Sequence, residues 1–411
     1  MTQLFKATDL PQGMDKGPLS CITPAYAALL ARQGYSKQSA RLPLCFLRDL
    51  NQWLNQQQLQ VSDLSEPTIH RYMRSRHQRF RPRRDDASTL SRIVNLLNVH
   101  GILPKKADRP SVNPHQRIED DYDRYLIEQR GLAATTRKSY RSIIRKFLPD
   151  QFGDGTAIFT DLTPDNVVRF IRHQSARLSP KHAGLVVCAL RSFLRYLRYQ
   201  GSITTDLAAC VPPIANWKLS ALPKFLQPGQ VQRVLSQCDR GTVKGRRDYA
   251  ILLLLARLGL RACEIVSLTL DDIHWKSGEI HIQGKGNQPA LLPLPSDVGQ
   301  AIAVYLEKDR PFCPTRRVFI RMKAPLRGFA NSCAISTIVA RTLKRAGIES
   351  PYTGAHLFRH TLATQMLRQG AKLADIAVLL RHHSINTTAI YAKVDLTALR
   401  TIAQPWPGGA K

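Results

Sequence analysis

Apolar residues three and four apart dominate this chain. After Asp161-Leu162, the residues Val167, Phe170 and Ile171 share one helical face, and Thr163 stands at the N-cap position. The same arrangement occurs about one hundred residues earlier, where Ser65 follows Asp63-Leu64. The likeness extends further: Gly34 matches Gly131 and His100-Gly101 matches Gln200-Gly201, at offsets of 97 to 100. The segments "YAALLARQGYSKQSARLPLCFLRDLNQWL", "VSDLSEPTIHRYMRSR" and "LSRIVNLLNVHGIL" answer to "YDRYLIEQRGLAATTRKSYRSIIRKFL", "FTDLTPDNVVRFIRHQ" and "LRSFLRYLRYQGSI". The pattern predicts a duplicated four-helix unit.

The pattern then changes. "RRDYAILLLLARLGLRACEIVSLTLDDIHW" predicts helix with a hinge at Gly259. "GEIHIQGKGNQPALLPLP" alternates instead, and Gly284-Lys285-Gly286-Asn287 reads as the tip of a β-hairpin. Helices are expected again in "SDVGQAIAVYLEKDR", "ISTIVARTLKRAGI", "GAHLFRHTLATQMLRQG" and "KLADIAVLLRHH". Two proline-containing stretches, Leu103 to Gln116 and Cys210 to Gln230, read as linkers. The expected fold class is mainly α with a small antiparallel β-sheet, in three pieces: 1–110, 115–212 and 222–411.

Charge narrows the function. Sixty Lys and Arg stand against thirty Asp and Glu, a net +30 with a pI near 10.3, which favours a polyanionic partner. Eight scattered cysteines without a CxxC pair are expected to be buried thiols in a reducing compartment. The N-terminal residues lack the apolar run of a signal peptide, and "YAILLLLARLGL" is too short to cross a bilayer. A cytoplasmic protein with no membrane partner is expected. Arg74, Arg76, Arg79, Arg81, Arg83 and Arg84 crowd one eleven-residue stretch with no evident local neutralisation. Arg137, Lys138 and Arg141 follow on one helix, and Arg191, Arg195 and Arg198 on another. Such spacing suits phosphate contacts along a DNA groove, so these residues are candidate DNA contacts.

Candidate chemistry lies in the third piece. His356 and His360 are one helical turn apart, but Leu357 stands where a zinc protease needs glutamate, and Arg359 would repel a cation; a metal site is rejected. Arginine and histidine together suit a phosphate diester instead. Arg261 and Glu264 in "GLRACE" and Lys285 on its hairpin add further polar groups. In "LLRHHSINTTAIYAKVD", His382 and His383 precede Tyr391, which is either a positioned reactive group or a packing aromatic.

Taken in order, Arg261, Lys285, His356, Arg359, His382 and Tyr391 resemble the active-site series of the tyrosine recombinase (phage-integrase) family. The resemblance covers the second piece, similar to the family's helical core-binding (SAM-like) domain, and all of the third. It implies that Tyr391 is the nucleophile, forming a 3′-phosphotyrosyl link and releasing a 5′-hydroxyl. Arg261 and Arg359 would neutralise the phosphorane oxygens, and Lys285 would protonate the 5′-oxygen. His356 would take part in proton transfer at the tyrosine, and His382 would donate to a non-bridging oxygen. Glu264 and His360 would be supports behind them. The implied partners are double-stranded DNA recombination sites, bound by a homo-tetramer with or without partner recombinases; no cofactor or metal is implied. The implied function is site-specific recombination, for integration or transposition of a mobile element. Xer-like dimer resolution, type IB topoisomerase activity and a non-catalytic accessory subunit are the alternatives. The chain departs from the family pattern at Arg381, where glycine is usual; arginine there suggests an ordinary helical turn or an additional phosphate contact.

Overall fold

The computed structural model describes residues 11, 14, 16–103, 114–215, 222–284, 288–382, 384–394 and 399 of the 411. The chain divides into two compact units, Met1–Ala107 with Ala221–Lys411, and Asp108–Ser220. The first opens with α1 (Thr23–Arg32), α2 (Lys37–Gln56), a 3-10 turn at Val61–Asp63, α3 (Glu66–Arg79) and α4 (Asp86–Val99). The second repeats that order: α5 (Gln116–Glu128), α6 (Ala134–Phe152), a 3-10 turn at Phe159–Asp161, α7 (Pro164–Ser175) and α8 (Pro180–Tyr199).

The matched glycines have a common cause. Gly34 and Gly131 take φ of 78° and 54°, and Gly101 and Gly201 take 67° and 70°, each just past a helix end. A left-handed residue there lets the chain leave the helix without a Cβ clash. Thr163 caps α7 as expected, accepting from the Asn166 amide at 3.4 Å while Asn166 Oδ1 accepts from the Thr163 amide at 3.0 Å. Ser65 occupies the N-cap of α3, but its hydroxyl pairs with Thr68 Oγ1 at 3.0 Å rather than with the backbone. Tyr26, Leu47, Trp53, Tyr72 and Ile93 anchor the core of α1–α4. Tyr122, Phe147, Phe170 and Phe193 anchor that of α5–α8, with edge-to-face rings such as Phe147 and Phe170, centroids 5.1 Å apart.

The remaining elements belong to the first unit. α9 (Gln230–Ser236), α10 (Val243–Leu258) and α11 (Ala262–Ser267) precede an antiparallel sheet in the order β1 (Ile273–His274), β2 (Glu279–Gln283), β3 (Pro289–Pro293). Then come α12 (Ser296–Lys308), α13 (Cys333–Arg345), α14 (His356–Arg368), α15 (Leu373–Leu380), α16 (Ile385–Thr388) and a 3-10 stretch, Ala389–Val394. The apolar run Ala250 to Leu255 of α10 faces every side of the helix and is at most 2% exposed, so it forms the centre of the core against α12 and α14. The hinge expected at Gly259 is a full break: this glycine, at φ 57°, ends α10. The expected hairpin pairs β2 with β3, Gln283 opposite Pro289, and the Gly284 amide donates to the Gln288 carbonyl at 2.8 Å. Lys285, which the sequence expects at its tip, His383, and tail residues 395–398 and 400–411 lie outside the described residues.

Two further packing features matter below. Ala363, Ile376, Leu380 and Tyr391 make a small buried cluster of their own. Within the first unit the Leu326 amide donates to the Gln33 carbonyl at 2.8 Å, and a Cβ added to Gly34 would lie 2.2 Å from Leu326 Cδ1. The cysteine expectation is corrected. All eight are unpaired, but only Cys238 is buried, and Cys21, Cys188, Cys263 and Cys333 are exposed. Among the described residues no helix is long and apolar enough to cross a membrane.

Candidate active site

The break at Gly259 turns the chain so that Arg261 becomes the N-cap of α11 and Glu264 its third residue. Glu264 Oε2 accepts from the Arg261 amide at 2.8 Å, and Oε1 accepts from Arg261 Nη1 at 2.7 Å. Glu264 is 2% exposed, so its charge is out of water and needs compensation nearby. A second guanidinium supplies part of it: Arg381 Nη2 donates to Oε2 at 2.8 Å.

α14 delivers the next groups. Arg359, 4% exposed, donates from Nη1 to the Gly259 carbonyl at 2.7 Å and from Nη2 to the Leu380 carbonyl. Burial, reinforced by the charges of Arg261 and Arg381, draws its guanidinium down to about 10, so it stays protonated at neutral pH. One residue on, His360 Nδ1 lies 2.9 Å from the Tyr391 hydroxyl. Burial, with His356 and Arg359 nearby, lowers His360 to about 4, and burial raises Tyr391 to about 12. Near neutrality the phenol therefore donates and the neutral imidazole accepts. Sequence reasoning assigned His360 a supporting role only; its direct bond to Tyr391 has no signal in spacing, since 31 residues separate the two. His356 is exposed, its ring 6.3 Å from that of His360. Tyr391 itself is 1% exposed.

α15 supplies the last side. Its C-cap, Arg381, has φ 54° and ψ 52°. The ordinary helical turn expected for arginine is thus replaced by the left-handed backbone that glycine would give, at a cost of about 1 kcal/mol. The expected additional phosphate contact is replaced too, because the side chain turns inward to Glu264. His382 Nδ1 pairs with the buried Thr388 Oγ1 at 2.7 Å. Burial, then Arg359 and Arg261, lowers His382 to about 4.

Both histidines therefore fold neutral. Their folded values lie below the ordinary 6.5, so the stability they lend is complete above pH 6.5 and is lost as pH falls through 4. Allowing for partial solvent access, each contributes about 1–2 kcal/mol to that loss. Urea unfolding at pH 7.5 and 4.5 will show wild type losing about 2–4 kcal/mol more than the His360→Gln/His382→Gln double variant. Equal losses would mean that the buried imidazoles are not the acid-sensitive groups.

The structure brings Arg261, Glu264, Arg359, His360, His382 and Tyr391 into one linked cluster. The candidate DNA contacts are placed otherwise. Arg76 donates to Asp49 Oδ2 at 2.7 Å and lies 4.4 Å over the Phe46 ring, and Arg79 is 3.4 Å from Asp49 Oδ1. Local neutralisation of the eleven-residue stretch therefore does occur, through an acid on α2 that the sequence places far away. Arg137 pairs with Asp123 at 2.9 Å, Arg141 with Asp120 at 2.8 Å and Arg198 with Asp206 at 2.9 Å. Arg191 donates to the Val211 carbonyl at 2.7 Å. Among the described residues, Arg74, Arg81, Lys138 and Arg195 are exposed without a carboxylate partner.

Comparison with known proteins follows the same division. Residues 224–397 match the model of the phage integrase family, and residues 120–201 match the phage integrase N-terminal SAM-like domain. A putative integrase/recombinase, y4rA, of Sinorhizobium fredii is 44% identical over 96% of both chains. Tyrosine recombinase XerD of Listeria innocua is 32% identical over 69% of this chain and 96% of its own. Among solved structures, XerH recombinase bound to a palindromic difH substrate superposes with a TM-score of 0.56 at 19% identity, covering 70% of this chain and 85% of that one. A lambda integrase dimer bound to a core site gives 0.51 at 17% identity, covering 66% and 93%. These likenesses show the expected fold, mainly helical with a small antiparallel sheet.

Proposed function

The chain belongs to the phage integrase family of tyrosine recombinases, and on that premise we propose that it breaks and rejoins DNA at specific sites through Tyr391. The observation that carries the proposal is that Arg261, Arg359 and His382, from three separate elements, lie within electrostatic reach of one another, with Tyr391 beside Arg359 and bonded to His360. In the proposed reaction the phenol oxygen attacks the scissile phosphorus as the bond from phosphorus to the 5′-oxygen breaks. The phenol proton passes to a neutral histidine, for which the 2.9 Å contact favours His360 over His356. Lys285 protonates the departing 5′-oxygen. Arg261 and Arg359 stabilise the charge on the phosphorane, and His382 donates to a non-bridging oxygen. Rejoining reverses these steps, so the bond energy is stored in the phosphotyrosyl link.

At 1% exposure Tyr391 cannot meet a phosphate where it now sits, so attack requires the Ala389–Val394 stretch to shift. Residues 222–411 would form the catalytic domain, 115–212 the core-binding domain and 1–110 an additional DNA-binding domain. The substrate would be double-stranded DNA, held by a tetramer because each Tyr391 cuts one strand. The likeness to y4rA across nearly the whole length, N-terminal helices included, favours integration or transposition of a mobile element. Dimer resolution is the second reading, supported by the XerD relatives.

Nicked duplexes tiled from the DNA flanking the coding sequence test the reading. Wild-type protein will form an adduct that survives denaturing electrophoresis on one of them. Protein that binds such DNA yet never forms an adduct would sink it, and relaxation of any supercoiled plasmid by the monomer would favour a topoisomerase.

A further inference from the structure

We propose that Arg381 is a positioning residue that keeps Arg261 available to the scissile phosphate by engaging one of the two oxygens of Glu264, so that the carboxylate does not take both forked donors of Arg261. This rests on the recombinase reading above and adds a residue to it. The backbone gives the first reason. Among the described residues only Gln58 and Arg381 combine a side chain with positive φ, and glycine fits such a position better. An arginine there must be kept by what its side chain does.

That side chain is 10% exposed and points inward, to Glu264 Oε2 at 2.8 Å, 117 residues away in sequence. Glu264 thereby serves two guanidiniums through different oxygens, Arg261 on Oε1 and Arg381 on Oε2. The Arg381 carbonyl meets Arg261 again, accepting from Nη2 at 3.3 Å. Arg261 is thus held from two directions, by Glu264 directly and by the Arg381 carbonyl.

Removing the Arg381 guanidinium changes the balance. A carboxylate facing one arginine takes it with both oxygens, the geometry such pairs favour. Glu264 would then claim the forked donors of Arg261 that a phosphate needs. The charge changes as well: two arginines on one carboxylate leave a net positive charge, whereas one leaves none. Arg381 therefore supplies both orientation and charge without touching DNA.

The test compares adduct formation on nicked substrates with either an ordinary scissile phosphate or a neutral methylphosphonate. Arg381→Gly, whose backbone suits the left-handed turn, will slow the reaction on phosphate by about 10- to 100-fold. On methylphosphonate, where no phosphate charge awaits Arg261, the penalty will shrink to about threefold or less. Arg381→Lys, which keeps the charge, will lie between wild type and Arg381→Gly on phosphate. Thermal unfolding of each variant identifies any loss due to misfolding, and if Arg381→Gly does not fold, Arg381→Lys carries the comparison. Equal slowing on both substrates, or wild-type rates on both, would overturn the proposal. Absence of an adduct with wild-type protein would overturn the reading beneath it, an outcome distinct from either.

Discussion

Tyr391→Phe is expected to abolish the covalent adduct, lowering its rate of formation by at least about 10³-fold, in a protein that still folds and binds DNA. The phenylalanine ring fills the same place among Ala363, Ile376 and Leu380, so the small cluster survives. What is lost is one hydroxyl and its bond to His360, worth about 1 kcal/mol. The chemical effect exceeds the structural one because the hydroxyl that would form the covalent link is removed while the ring that packs is kept. Denaturing electrophoresis after incubation with the nicked substrate reads the rate, and urea unfolding reads the stability. An adduct that persisted would identify a different nucleophile.

Arg359→Ala will be nearly as severe and will fail on both counts. Cleavage will fall by about 10²- to 10³-fold through loss of a donor to the phosphorane. Stability will fall by about 2–4 kcal/mol, because the carbonyls of Gly259 and Leu380 lose their partner in a buried place. Part of that cost is offset, since Arg261 and Arg381 lose a repelling neighbour. Arg359→Lys separates the two effects. Lysine keeps the charge and can reach one carbonyl, so it will recover about half of the stability. It will not recover cleavage, because a point charge cannot replace a planar fork between two carbonyls and a phosphate. Single-turnover cleavage of the Ala variant within tenfold of wild type would remove Arg359 from the phosphate site.

The sequence was most informative where local physics decides. Helical spacing marked the helices of the third piece, from α12 to α15, and the alternating "GEIHIQGKGNQPALLPLP" marked the hairpin, because burial on one face imposes a period on each. The order of Arg261, His356, Arg359, His382 and Tyr391 also marked the candidate cluster. What escaped notice depends on partners distant in sequence. Nothing near Arg76 announces Asp49, and nothing near Arg381 announces Glu264. Arg381 misled in a second way: an arginine argues against a left-handed backbone, and only the pairing across 117 residues explains why it is there. The basic stretches misled for a related reason, since charge counts along a helix ignore acids facing it from the next one.

Gly34 and Gly131 end the first helix of two similarly ordered helical units, and each needs its positive φ. Their surroundings differ. Beside Gly131 a Cβ would meet open space, whereas beside Gly34 it would strike Leu326. Two residues that look interchangeable in sequence are therefore under unequal selection. Asparagine, which tolerates the left-handed region, is an acceptable substitute at Gly131 and an excluded one at Gly34 unless position 326 shrinks with it. Covariation between positions 34 and 326 across relatives, with none at 131, is the evolutionary trace this contact would leave.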